Sequence, residues 1–432
     1  MNGQTVLSSF AVVFTLGILP VNPPQAAESW PQIGYNAGHS GFNPQETVVD
    51  SGNVAGLTLF TTLPTPGEVA DPAMVANGYA YVNSIGSNAL YAFDVASSQQ
   101  LWSFTGTNLD SPRGIAVAGN EVFVTCVVGS QVPGLCALNY KTGKLIWNWS
   151  NAPSNSLPGS PPAVSGDVVY FVESQPYGDW LTALDTKTGA QLWQYGYCNP
   201  EGICVHLGQN APAIDGGMVF VGCSTLSPGE GVCAIDAATG ALAWFTQLGG
   251  TSADGQWGDG SGNLIASKGV VYANYITSTC YGCDYTVNVV ALNEETGTAL
   301  WDTPITKVLN NTYGPVGPPA LNSGHLYAAL ACCDAKNDSG LVKLNATSGK
   351  IAWHAETSYW LSSSPSLVND VVFLECAGHG GTICAFDAST GTDLWDSPDS
   401  GSSSSDPPVV TGGMVYEICN YNNVCVYSPQ SQ

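Results

Sequence analysis

Fourteen cysteines, five histidines and a single arginine are the side chains of this 432-residue chain with the most chemistry to offer. Their spacing decides what that chemistry is. Four cysteine pairs fall in register: Cys126 with Cys136, Cys223 with Cys233, Cys376 with Cys384, and Cys419 with Cys425. In each, one thiol ends a strand and the other lies in the next strand, so a hairpin brings the two within disulfide reach. The other six group locally as Cys198 with Cys204, Cys280 with Cys283, and the adjacent Cys332 and Cys333. A zinc site at Cys280-Tyr-Gly-Cys283 needs a second ligand pair, for which Cys332 and Cys333 are the candidates. We read all fourteen as disulfides, which places the chain in an oxidising compartment. No Cys-x-x-Cys-His is present, which excludes covalent c-type haem.

The histidines offer less. His39, His206, His325 and His354 have no metal-ligand spacing, and His379 sits in a glycine-rich loop, so each is expected at the surface or in the core. The run from Asp254 to Asn263 is rich in oxygen donors but lacks the alternate spacing of a calcium loop, so no metal is expected there. Nucleophile elbow, phosphate-binding loop and His-Glu-x-x-His motifs are absent, and no catalytic residue is assigned.

These residues are carried by a repeat. An Asp or Asn is followed eight residues later by Trp in seven copies: Asp94 and Trp102, Asn139 and Trp147, Asp185 and Trp193, Asp236 and Trp244, Asn293 and Trp301, Asn345 and Trp353, Asp387 and Trp395. Each copy reads as a hairpin. Apolar alternation ends one strand, Asp or Asn opens the turn, a glycine with positive φ closes it, and Leu-Trp or its like starts the next strand. Gly143, Gly189, Gly240, Gly297, Gly349 and Gly391 fill the glycine place. Ser98 stands there in the first copy, which predicts a strained or differently shaped turn. The tryptophans recur every 42 to 57 residues, the size of a four-stranded blade in a β-propeller. They are assigned to core packing between blades.

The two ends of the chain complete the ring. Leu57 to Leu63 reads as an orphan outer strand with Phe60 in the Trp place, while the chain stops three strands into a blade after Tyr427. The amino-terminal strand is therefore expected to supply the outer strand of the last blade, giving an all-β propeller of eight four-stranded blades with no open edge. Before it, Val6 to Leu19 is an apolar run of the length found in export signals, so residues 1–27 are read as a leader and 28–432 as a single propeller domain. The run is too short for a membrane span. With 9 basic against 33 acidic residues the formal charge is −24, which excludes nucleic acid as a partner.

The Ala-Leu-Asp, Thr-Gly and Leu-Trp repeat resembles the pyrroloquinoline quinone (PQQ) enzyme repeat. That repeat is shared by quinoprotein alcohol dehydrogenases and by non-catalytic outer-membrane assembly lipoproteins of the BamB type. The stretch from Trp30 to Pro44 is similar to the start of exported bacterial proteins with these repeats. For a dehydrogenase the resemblance implies PQQ with calcium, and Cys332-Cys333-Asp334 is similar to the vicinal disulfide such enzymes hold against the cofactor. Here, however, the pair ends a second strand after Leu330 rather than preceding an innermost one. PQQ also carries three carboxylates, and this chain has one arginine and eight lysines to meet them.

Aligning the innermost strands on the aromatic of the second strand gives one inner position per blade: Asp71, Arg113, Ser160, Asn210, Gly262, Gly317, Ser363 and Asp406. Most are small, which predicts an open channel. Its mouth offers Asp71, Arg113, Ser160, Asn210, Ser363 and Asp406 to a ligand, with Arg113 forking onto Asp71 and then Asp406. No calcium set completed by a tryptophan is identifiable, although Trp257 and Trp360 lie in suitable loops. The expected function is a secreted, periplasmic or cell-surface monomer that binds a protein or small molecule on the propeller face without catalysis. The alternative is a PQQ-dependent dehydrogenase of an alcohol or sugar.

Overall fold

The computed structural model describes residues 29–69, 71–106, 114–128, 133–150, 157–175, 178–196, 205–224, 230–248, 264–278, 285–308, 317–330, 340–357, 359–361, 363–377, 382–398 and 407–429. Eight antiparallel sheets follow one another along the chain, and apart from one 3-10 turn at Val54–Gly56 the named elements are strands. Blade 1 is typical: Met74–Ala76 innermost, then Tyr79–Ser84, Ala89–Asp94 and Gln100–Thr105 outermost. Blade 8 is closed from the other end of the chain. Its first three strands are Val409–Thr411, Met414–Cys419 and Asn423–Pro429, and its outer strand is Leu57–Pro64. Both the blade number and the closing strand agree with the sequence reading.

The register corrects one detail of that reading. In the seven Trp blades the residue just before the Trp is skipped by a bulge, so that Ala92 pairs with Trp102 and Phe93 with Gln100. In blade 8 the skipped residue is Phe60, which is 55% exposed, and Thr61 pairs with Val426. Thr61, not Phe60, therefore occupies the Trp place. A one-residue offset across a bulge is invisible to spacing alone.

The repeat is an inter-blade device. Trp102 donates its indole N–H to Tyr140 O of the next blade at 2.9 Å, and Trp147, Trp193, Trp244 and Trp301 bond to Thr186, Ala237, Glu294 and Ala346 in the same way. The turn glycine of the receiving blade lies flat under that indole. A Cβ on Gly240 would sit 2.8 Å from the Trp193 ring, and one on Gly189 2.6 Å from that of Trp147. Ser98 adopts φ 58, inside the glycine region, and its N–H bonds to Asp94 O at 2.8 Å as Gly143 does to Asn139 O at 2.9 Å. Its turn is strained, as expected, but not differently shaped.

The sixth seam departs from the rule. Lys343 replaces the alanine that pairs with Trp in the other Trp blades, and its Nζ takes Ala388 O at 2.9 Å. That is the carbonyl an indole would otherwise use. Tyr327 donates to it as well, at 3.1 Å, and the Trp353 N–H is left buried and unpartnered. Burial lowers the Lys343 pKa against the opposing pull of Asp387.

All four in-register disulfides form, Cys126–Cys136, Cys223–Cys233, Cys376–Cys384 and Cys419–Cys425. They join diagonal rather than directly opposed residues, since Cys126 pairs in register with Gly134 and Cys136 with Val124. Each closes a short loop and so contributes only about 2 to 3 kcal/mol. Cys198, Cys204, Cys280, Cys283, Cys332 and Cys333 lie outside the described residues.

The segment from Trp30 to Asn43 bonds to the innermost strand of every blade in turn. Val75, Val117, Ile214, Ala266, Leu321 and Leu367 donate their N–H groups to carbonyls of Trp30, Pro31, Ala37, Gly38, Ser40 and Gly41 at 2.7 to 3.0 Å. Val164 N–H reaches Gln32 Oε1 at 2.8 Å, and Asn43 Nδ2 reaches Val410 O at 3.0 Å. Bonded to the eight blades in order, the segment crosses from one innermost strand to the next around the inside of the ring. Glycine permits the approach: a Cβ on Gly38 would lie 2.1 Å from Ala266 O.

Candidate functional site

The inner positions sit just ahead of the innermost strands, at the end away from the turns that follow those strands. Asp71 is 6% exposed, and its Oδ2 accepts the N–H of Gly114 in blade 2 at 3.2 Å. Ser160 and Ser363 are fully buried and do one job in two blades. Ser160 Oγ accepts Val172 N–H at 2.8 Å and donates to Pro161 O, while Ser363 Oγ accepts Glu375 N–H at 2.9 Å and donates to Ser364 O. Both hydroxyls thus clip an innermost strand to its neighbour. Asn210 is exposed, and Gly317 O accepts the amide of Asn274 from the preceding blade at 2.7 Å. Arg113, Gly262, Asp406 and the acidic run 254–263 with Trp257 lie outside the described residues, as does His379.

Sequence reasoning missed a second belt at the same level. The fifth residue of the second strand is Asn83 in blade 1, Thr125 in blade 2, Asn274 in blade 5 and Glu375 in blade 7, all buried. Elsewhere the same place holds Val172, Gly222, Ala329 and Ile418. Both amide atoms of Asn83, the Thr125 hydroxyl and the Asn274 carbonyl oxygen have no partner. A buried polar atom without a partner costs free energy unless water or a ligand supplies one, so these groups have bonding capacity to spare. The signal was present as an aromatic followed two residues later by a polar residue in an apolar strand, as in Tyr81 and Asn83.

At the opposite end, a pocket of about 430 Å³ opens between the amino-terminal segment and blades 3 to 5, lined by Asn36, Ser40, Ser165, Tyr170, Asp215 and Ser267 among others. Asp215 neighbours the buried Glu294, whose pKa is raised by burial first and by Asp215 second. The Glu294 Oε2 is unpartnered. His39, in the crossing segment, is 5% exposed, and burial lowers its pKa to about 4, so its imidazole is neutral. His206 is half-exposed beside Asp179 at 3.4 Å.

Chemically, the described mouth and wall present carboxylates, amides and hydroxyls, of which those of Ser160 and Ser363 are committed and that of Thr125 is not. His206 stands beside Asp179 at 3.4 Å, and no three or more His, Cys, Asp or Glu of the described residues gather as a metal site. No step through PQQ is derived from these groups.

Comparison with known proteins places the chain. The family model described as "Outer membrane protein assembly factor BamB" matches residues 86–275 and 286–431. The quinohemoprotein alcohol dehydrogenase of Comamonas testosteroni is 26% identical over 185 residues, 38% of this chain and 25% of that protein. The outer membrane protein assembly factor BamB of Burkholderia pseudomallei is 25% identical over 191 residues, 41% of this chain and 45% of that one. The aligned stretches thus span less than half of either relative. Among solved structures, a europium-containing methanol dehydrogenase superposes with a TM-score of 0.68 at 16% identity, covering 93% of this chain and 90% of that one. At that identity the likeness concerns the fold.

Proposed function

The chain belongs to the PQQ-repeat propeller family that this model describes, and from that premise we propose that it is an exported, non-catalytic binding or scaffold module. The reading is carried by the mouth of the ring. Ser160 and Ser363, two of the groups a ligand would use, are spent on backbone N–H groups. Fold membership alone does not assign chemistry, since the family's relatives include both dehydrogenases and an assembly factor. The partner is a protein or a small molecule held on the propeller face. Arg113 pairs with Asp71 and then with Asp406.

On this reading residues 1–27 are an export leader and 28–432 one propeller domain, active as a monomer outside the cytoplasm. The six remaining cysteines pair locally as Cys198–Cys204, Cys280–Cys283 and Cys332–Cys333. The four hairpin disulfides support an oxidising compartment, and no helix among the described residues is long and apolar enough to cross a membrane. The second reading, a PQQ-dependent dehydrogenase, is favoured by the similarity to quinohemoprotein alcohol dehydrogenase and by the adjacent Cys332 and Cys333.

Purified protein incubated with PQQ and calcium, then desalted, separates the two. The expected result is no retained chromophore and no alcohol-dependent dye reduction. Retained PQQ with dye reduction would overturn the non-catalytic reading.

A further inference from the structure

The seam between blades 7 and 8 cannot use the Trp–glycine device, because blade 8 takes its outer strand from the far end of the chain and has no turn to offer. Trp395 meets Tyr427 edge-on at 5.5 Å instead. Beside that contact lies Glu417, fully buried on the face of blade 8 that packs on blade 7. Its Oε2 accepts Thr382 Oγ1 at 2.7 Å and Ser397 Oγ at 3.3 Å, both from blade 7, and its Oε1 accepts Tyr427 OH at 2.7 Å. Ser397 Oγ in turn accepts the N–H groups of Thr382 and Ile383 at 3.1 and 3.0 Å. One carboxyl thus ties the two blades together through hydroxyls alone.

We propose that Glu417 is a proton-dependent latch on this ring-closing seam, whose stabilising contribution is fullest with the buried carboxyl protonated and is lost as it ionises. The groups facing it are Thr382 and Ser397 from blade 7, and Tyr427 and the Cys419–Cys425 disulfide from blade 8. Tyr427 is the one titratable group among them. Its phenol stays neutral, held above its ordinary range by burial first and by Glu417 second. Among the described residues no cation acts on Glu417; burial raises its pKa from 4.5 to about 7, against the three hydroxyl bonds that pull it down. A folded-state pKa above the unfolded one stabilises fully below the unfolded value. The contribution falls as pH rises from 4.5 through about 7 and is gone above it.

The test follows urea midpoints from pH 4 to 9 in the wild type and in Glu417→Gln, both in a Glu294→Gln background, because Glu294 is a second carboxyl raised by burial. We expect the folding equilibrium constant of the Glu417 form to fall by about two orders of magnitude across that span relative to the Gln form. Parallel pH profiles would overturn the latch. Should the Gln variant fail to fold, infrared difference spectra of the Glu294→Gln protein decide. A buried protonated-carboxyl band that disappears near neutral pH supports the latch, and no such band at pH 5 refutes it.

Discussion

The seam between blades 3 and 4 and the seam between blades 8 and 1 do the same mechanical job with different parts. In the first, Trp193 bonds to Ala237 O at 2.8 Å and presses on Gly240. In the second, both members of the pair are missing together: Thr61 stands in the Trp place and Ser98 in the glycine place. Yet Ser98 makes the same turn, with φ 58. The comparison teaches that glycine in this repeat serves the neighbouring indole as much as its own turn. Where no indole arrives, a serine is tolerated.

The largest expected effect is at the tryptophan itself. Trp193→Ala should cost about 3 to 5 kcal/mol in urea unfolding, whereas Thr61→Ala should cost less than about 1 kcal/mol. Equal losses would erase the distinction between the seams. Next comes the glycine. Gly240→Ala combines a strained φ with a clash and should cost about 1 to 3 kcal/mol, while Ser98→Gly should stabilise by about 1 kcal/mol by relieving the left-handed backbone. Opposite signs in thermal melts are the check. The smallest effect belongs to the sixth seam. Lys343→Ala should leave Ala388 O to Tyr327 alone, open its other lone pair to the orphaned Trp353 indole and stabilise by up to about 1 kcal/mol. A destabilised variant would mean that the ammonium holds this seam better than an indole does.

Much of this was legible in the residues. The hydrophobic period and the Asp-to-Trp spacing gave the blades, the orphan Leu57 strand gave the closure, and the cysteine register gave four disulfides. What was hidden has physical reasons. The bulge before each Trp shifts register by one without changing composition, which misplaced Phe60. Ser160 and Ser363 make the same bonds in their two blades, and composition does not reveal that a hydroxyl is already bonded to its neighbour's backbone. The polar belt at Asn83, Thr125 and Asn274 was hidden because each residue taken singly reads as a strand-end polar group. The crossing segment was least legible, because it binds mainly through backbone carbonyls, and only its glycines at 34, 38 and 41 hint at close approach.

That crossing segment sets an order on assembly. Asn43 bonds to Val410, 367 residues away, and Glu46 reaches Gly413 over the same separation. Contacts this distant in sequence close late, after loop entropy has been offset by local pairing. A chain emerging from its amino terminus must therefore hold residues 30 to 46 in waiting while seven blades form, and can dock them fully only when the eighth appears. The earliest part of the propeller to be made is the last to be placed.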